Sequence, residues 1–306
     1  MFTVPEQFVR ETIERHGDGG RAWLDRLPDI LAACAAQWDL TLGPPFGNLS
    51  WHYVAPARRA DGSDVVVKAC SPTAGECLLE TAALRFFDGH GAVRLIESDG
   101  EREVMVLERL EPGTLLSTVE DDAEATAIAA GVMEQLWRPL PPDHPFPSVA
   151  DWGKGFARPR QHFGGTSGPF PAPLVEEAET LFADLEASSG APVLLHGDLH
   201  HENILLDARQ GRWLAIDPKG VAGEPAYDTG ALLRNQLPEF GDGAQMSRVL
   251  ARRVDQLAEQ LGLERARLRG WGLAQAVLSA WWRIEDEGYG WKRAIACAVA
   301  LAGLPD

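Results

Sequence analysis

The sequence predicts an α+β chain of two lobes. A small N-terminal lobe would carry an antiparallel sheet and one helix, and a larger C-terminal lobe would be mainly helical. Three observations carry this. Strand-like apolar runs cluster between Trp38 and Leu107, helical periodicity dominates from Asp121 onward, and Glu111-Pro112-Gly113 punctuates the chain between the two regions. With 306 residues, 45% of them apolar, the chain can bury a sizeable core. The expected division is 1–110, with a helical extension at 1–37, and 111–306.

Residues 5–17 carry Phe8, Val9, Thr12 and Ile13 at helical spacing, with Pro5 suited to the start and Gly17 to the stop. Residues 21–37 repeat the pattern through Trp23, Leu27, Leu31 and Cys34, with Pro28 marking a break or kink. Strands are expected at 38–42, 49–55 and 65–68, joined by the Gly/Pro-rich loop 43–48 and the turn 59–63. The run Val65-Val66-Val67 reads as a strand buried on both faces, so the ammonium of Lys68 at its end needs anionic partners. A helix over 75–88 follows. Glu76 and Glu80 both lie on it, and phasing against Leu79, Ala83 and Phe86 favours Glu80 as the partner of Lys68. Further strands are expected at 92–97 and 104–107, after which Glu108-Arg109-Leu110 leaves the sheet. A helix at 121–137, a long Pro/Gly-rich and partly mobile connection at 138–173, and a helix at 173–188 complete the approach to the central motif.

That motif is VLLHGDLHHENILLDARQGRWLAIDPK, from Val193 to Lys219. An apolar run delivers a polar loop, and two short apolar runs at 204–206 and 213–216 flank the turn 207–211, a hairpin signature. A hairpin makes Asn203 at its entrance and Asp217 at its exit neighbours. Asp198, Asn203 and Asp217 then surround one point. Phosphoryl transfer needs such a set, with one Asp to orient the acceptor and hard oxygen donors for magnesium, which takes few protein ligands beside phosphates. The alternative of a zinc cluster from His196, His200, His201 and Asp198 requires His-x-x-x-His on a helix. Gly197 and the strand-like flanks disfavour that, and no distant Cys or His completes the set. For His196 and His201 the expected role is hydrogen bonding to backbone.

The formal net charge of −17 argues against nucleic acid or an anionic membrane as partner and suits a cationic one. Four Cys without Cys-x-x-Cys spacing indicate neither a zinc site nor a disulfide framework. The first residues lack a signal-peptide pattern, and the apolar stretch 294–304 is too short to span a bilayer. A cytoplasmic protein without a membrane role is expected.

The segments HGDLHHENIL and LAIDPKG, with VVVK, DGHGAVRL and MVLERLEPGTLL upstream and more weakly WWRIEDEG downstream, resemble the aminoglycoside phosphotransferase family. The similarity is to its streptomycin 6-kinase and hydroxyurea phosphotransferase branch, from about Trp38 onward. The resemblance implies a bilobal protein-kinase-like fold, with ATP and Mg2+ as partners in the reaction. It implies Asp198 as the catalytic Asp, Asn203 and Asp217 as magnesium ligands, and Lys68 on phosphate with Glu80 behind it. The main chain of Glu108 and Leu110 would meet adenine. Asp217 is followed by Pro218-Lys219 and not by Phe-Gly, so switching of the protein-kinase kind is not expected.

The acceptor site would come from residues 221–306. Glu224, Asp228, Glu239, Asp242, Glu285, Asp286 and Glu287 suit a polycation such as streptomycin, and Trp281 and Trp282 suit stacking on a guanidinium. Against this, Ala274, Val277, Leu278 and Trp281 share one helical face and read as core. Asp228 reads as a brace for the catalytic loop ahead of a substrate contact. The expected activity is ATP-dependent phosphorylation of a hydroxyl on a cationic aminoglycoside, with hydroxyurea or another small molecule as the alternative acceptor. A nucleotide-binding module without turnover is the reading outside enzymes.

Overall fold

The structure, a computed structural model, describes residues 4–72, 75–238, 243–286 and 289–305. The chain forms two compact units, Met1–Gly113 and Thr114–Asp306.

The first unit opens with α1 (Glu6–Gln37), interrupted at Gly17, whose φ of 56° and ψ of −131° end one helix and start another. Glycine tolerates that backbone, and the interruption falls there while Pro28 is carried inside the helix. A five-stranded sheet follows in the order β1-β2-β3-β5-β4. Its strands are β1 (Leu40–Leu42), β2 (Tyr53–Arg59), β3 (Asp64–Ala69), β4 (Leu95–Asp99) and β5 (Val104–Glu108), paired antiparallel throughout. Helix α2 (Glu76–Phe87) lies between β3 and β4 in the chain. Strand β2 begins and ends four residues later than expected and runs through Pro56. Proline lacks the N–H that a ladder uses, which is why the sequence pattern stops short of it. Alternation along β3 sends Val65, Val67 and Ala69 into a core with Phe8, Trp23, Leu27 and Leu31 of α1. Lys68 therefore points to the face of the sheet away from α1.

The expectation of no disulfide is corrected. Cys70 and Cys77 are bonded, with Cα atoms 6.1 Å apart, linking the residue after β3 to the first turn of α2. Their spacing matches no motif. The fold brings them within bonding reach, at a Cα separation usual for a disulfide.

The second unit continues from β6 (Pro112–Leu115), a strand where only a break was expected. Then come α3 (Asp122–Leu136), α4 (Val149–Gly153), α5 (Ala157–His162), α6 (Ala172–Ala187) and β7 (Val193–Leu195). They are followed by β8 (Ile204–Asp207), β9 (Arg212–Ala215), β10 (Val221–Gly223), α7 (Pro225–Arg234), α8 (Gly243–Leu261), α9 (Arg265–Asp286) and α10 (Trp291–Ala302). The connection expected to be partly mobile contains α4 and α5, and Ser148 and Asp151 form a capping box at the start of α4. Helix α9 is the centre of this unit, packing on α6, α7, α8 and α10 and burying Trp271, Ala274, Val277, Leu278 and Trp281. Strands β8 and β9 form the expected hairpin, with Ile204 opposite Ala215, and β7 pairs antiparallel with β10.

Candidate active site

In the first unit, Lys68 Nζ donates to Oε1 and Oε2 of Glu80, both at 2.7 Å. The two side chains are 3% and 8% exposed. Phasing places Glu80 among the buried residues of α2, while Glu76 is exposed. A buried pair of this kind contributes little net stability because desolvation offsets its attraction. At the end of β5, Glu108 donates its N–H to the Arg94 carbonyl (2.9 Å) and accepts the Arg94 N–H on Oε1 (2.8 Å). Leu110 is buried just beyond.

In the second unit, β7 (Val193–Leu195) runs into the loop that begins at His196. Gly197 has φ +84°, and a Cβ there would lie 2.9 Å from Trp152 Cη2, 3.2 Å from Lys219 Cβ and 3.3 Å from Val221 Cγ1. Glycine is required both by the backbone angle and by that close approach. The loop carries Asp198 next. The Asn203 side chain donates from Nδ2 to the Asp198 carbonyl (3.0 Å), and the Ile216 N–H donates to the Asn203 carbonyl (2.9 Å). Asp217 is the next residue, at φ +59°. These bonds link Asp198 to Asn203 and Asn203 to Ile216, the residue before Asp217.

His196 ties the same pieces together from inside. Its Nε2 meets the Ile216 carbonyl at 2.8 Å and its Nδ1 meets the Asp198 N–H at 3.2 Å, so the ring is neutral with its proton on Nε2. Burial pulls its pKa down and outweighs the pull of Asp228. His201 differs from expectation. It is buried, yet neither ring nitrogen has a hydrogen-bond partner among the described residues.

The Asp198 carboxylate accepts from Arg234 Nη2 on Oδ1 at 2.8 Å, and His200 Nε2 lies 3.7 Å from Oδ2. Burial pushes the Asp198 carboxyl up, but Arg234, then His200, Lys219 and His196, outweigh it and hold the group below its ordinary value. It is ionised at neutral pH.

The residues expected at the acceptor are engaged elsewhere. Asp228 accepts the His196 N–H (3.0 Å) and Trp137 Nε1 (3.2 Å) on Oδ2 and the Gly197 N–H (2.8 Å) on Oδ1. Glu224 is held bidentately by Arg267 at 2.7–3.2 Å and accepts from Trp271 Nε1. Trp281 is 3% exposed and packs against the rings of His162 and Phe163. Glu285 pairs with Arg158 at 3.2 Å. Glu239, Asp242 and Glu287 lie outside the described residues, as does the side chain of Asp286. A cavity of about 540 Å³ instead opens beside Asp198, lined by His200, Arg234, Ser279, Arg283 and Arg293 among others. The sequence reading missed Arg234. It belongs to no motif, and it becomes a neighbour of Asp198 only because α7 docks on the loop after β7, where Asp228 of the same helix accepts the His196 and Gly197 N–H groups.

Magnesium fits the donor set. Nδ2 of Asn203 is spent on the Asp198 carbonyl, which leaves Oδ1 as a hard oxygen donor beside the chain of Asp217. Among the described residues no group of three or more His, Cys, Asp or Glu side chains is placed to hold a metal ion. An Asn–Asp pair completed by phosphate oxygens and water needs none.

A family model described as aminoglycoside/hydroxyurea antibiotic resistance kinase matches residues 44–288. The chain is 32% identical to a streptomycin 6-kinase of Streptomyces glaucescens over 94% of this chain and 92% of that one. It is 32% identical to a hydroxyurea phosphotransferase of Kitasatospora aureofaciens over 99% of this chain and 87% of that one. Among solved structures it resembles a thermostable mutant of aminoglycoside phosphotransferase APH(4)-Ia in ternary complex with ADP and hygromycin B. The TM-score is 0.59 at 15% identity, over 89% of this chain and 99% of that one.

Proposed function

The chain belongs to the aminoglycoside/hydroxyurea antibiotic resistance kinase family, and on that premise we propose that it transfers the γ-phosphoryl group of ATP to a hydroxyl of an aminoglycoside, with streptomycin as the favoured acceptor. It is a phosphotransferase with an alcohol-type acceptor and a mixed α+β, kinase-like fold. Residues 1–110 would serve the nucleotide and 111–306 the catalytic loop and acceptor. The observation that carries the reading is the linkage of Asp198, Asn203 and Ile216-Asp217 through hydrogen bonds of the catalytic loop.

In this reading Lys68, held by Glu80, engages phosphate oxygens. The Glu108 carbonyl and Leu110 N–H take the adenine edge, and Asn203 and Asp217 hold magnesium. The metal supplies charge neutralisation on the phosphate oxygens when bound. Asp198 is too weak a base to deprotonate an alcohol early. It aims the acceptor hydroxyl in line with the γ-phosphorus and accepts the proton late, in a loose transition state. Among the described residues no helix is long and apolar enough to cross a membrane, and a cytoplasmic setting, where ATP is available, belongs to the same proposal.

A second acceptor, hydroxyurea, is favoured by the cavity beside Asp198. Arg234 and Arg293 on its wall would repel the guanidinium groups of streptomycin and leave a small uncharged molecule unaffected. Incubating the full chain with magnesium and ATP plus either compound, and reading the phosphorylated product by mass, decides between them. Loss of that product in Asp198→Asn is expected, and retained turnover would remove Asp198 from its role.

A further inference from the structure

We propose that Arg234 is a positioning residue for phosphoryl transfer: by occupying one oxygen of Asp198 it makes the other, Oδ2, the atom that aims the acceptor hydroxyl. This rests on the role given to Asp198 above. Arg234 is the last residue of α7. Its Nη2 donates to Asp198 Oδ1 at 2.8 Å, and its Nη1 donates to Gln275 Oε1 at 3.0 Å. Gln275 is itself buried on α9 and donates from Nε2 to the Tyr227 carbonyl. The guanidinium is therefore fixed at both ends, and its side chain is only 12% exposed. This is not a surface ion pair that forms and breaks.

The terminal torsion of an Asp is broad and nearly two-fold, so an unanchored carboxylate samples many orientations. One held donor on Oδ1 removes that freedom. Oδ2 is left with His200 Nε2 at 3.7 Å, beyond hydrogen-bond reach. The Nδ1 atom of His200 accepts the Glu202 N–H at 3.2 Å, so the ring is neutral with its proton on Nε2, the atom 3.7 Å from Oδ2. Asp198, His200 and Arg234 together line the cavity of about 540 Å³. A hydroxyl donated from that cavity competes with Arg234 at Oδ1, whereas Oδ2 accepts no hydrogen bond among the described residues.

The full chain is tested as Arg234→Met, Arg234→Lys and Gln275→Leu, with Asp198→Asn as reference. Phosphorylation of streptomycin and of hydroxyurea is measured, together with magnesium-dependent ATP hydrolysis to water. Misplacement of a reacting group by an ångström costs about 100-fold, so Arg234→Met is expected to lose roughly that factor in kcat with the KM for ATP unchanged. Arg234→Lys should recover part of the loss, and Gln275→Leu should fall between. A crystal structure of Arg234→Met is expected to show the Asp198 carboxylate turned from its present orientation in an otherwise unchanged loop, and the Lys variant serves for both measurements should the Met variant not fold. Unchanged or raised kcat, a loss confined to KM, or an unmoved carboxylate each overturns the proposal. Turnover by Asp198→Asn would instead sink the assignment of Asp198. If wild type phosphorylates neither acceptor, the acceptor assignment fails, and the orientation of Asp198 still decides the role of Arg234.

Discussion

Asp228 takes the backbone N–H of His196 on one carboxylate oxygen and that of Gly197 on the other, so α7 holds the turn that presents Asp198. Asp228→Ala would strand both N–H groups and Trp137 Nε1 in a buried setting. Each orphaned donor costs about 1–3 kcal/mol, and a loss of about 3 kcal/mol in urea unfolding is expected from their sum after partial relaxation. Turnover should fall with it. A variant as stable and active as wild type would show that β7 and α7 hold the loop without this carboxylate.

The Lys68–Glu80 pair separates stability from chemistry. Removing one partner leaves a buried charge and costs about 3–5 kcal/mol, whereas replacing both by apolar groups is often neutral. Lys68→Met should therefore destabilise strongly, and Lys68→Met with Glu80→Leu should regain most of the stability while phosphorylation stays lost. Recovery of activity in the double variant would show that the ammonium serves only the fold.

His201 makes the fold sensitive to acid. Burial, then Arg253 and His200, push its pKa down to about 3, against about 6.5 in an unfolded chain. The unfolded chain takes the proton first. Stability is full above the unfolded value and is lost as pH falls from there toward the folded value. At pH 5 this amounts to about 2 kcal/mol. His196 shifts in the same direction, so His201→Leu should flatten the loss between pH 7.5 and 5 without abolishing it. Equal losses in wild type and variant would assign the effect to other groups.

The Cys70–Cys77 bond can be counted. Denatured without reductant, the protein should expose two titratable thiols, those of Cys34 and Cys297, and after reduction all four cysteines. Closing a loop this short contributes on the order of 2 kcal/mol, so Cys70→Ser should lower the unfolding free energy by a similar amount. Four thiols before reduction would refute the pairing.

The segment from Val193 to Lys219 was the most legible part of the chain because its information is local. A two-stranded pattern around a turn places Asn203 beside Ile216 whatever surrounds it, and helical phasing chooses Glu80 over Glu76. Misreadings arose where a residue's setting is tertiary. Pro56 hid the second half of β2, and the pairing of Cys70 with Cys77 shows only in the folded chain. Glu224 and Glu285 suit a cationic acceptor by charge alone, but Arg267 and Arg158 pair with them in the fold. Arg234 is the clearest case. One arginine after two leucines at the end of a helix carries no local signal, and its meaning comes from Gln275, forty-one residues on in another helix.

The wedge of backbone at Gly197, closed in by an indole, a lysine stem and a valine methyl, has a bearing on how such an enzyme diversifies. The position preceding Asp198 admits no side chain without prying three segments apart. In the proposed reading, a change of acceptor would be accommodated at the rim of the cavity, on α9 and α10, while Gly197 leaves the loop before Asp198 no room to vary.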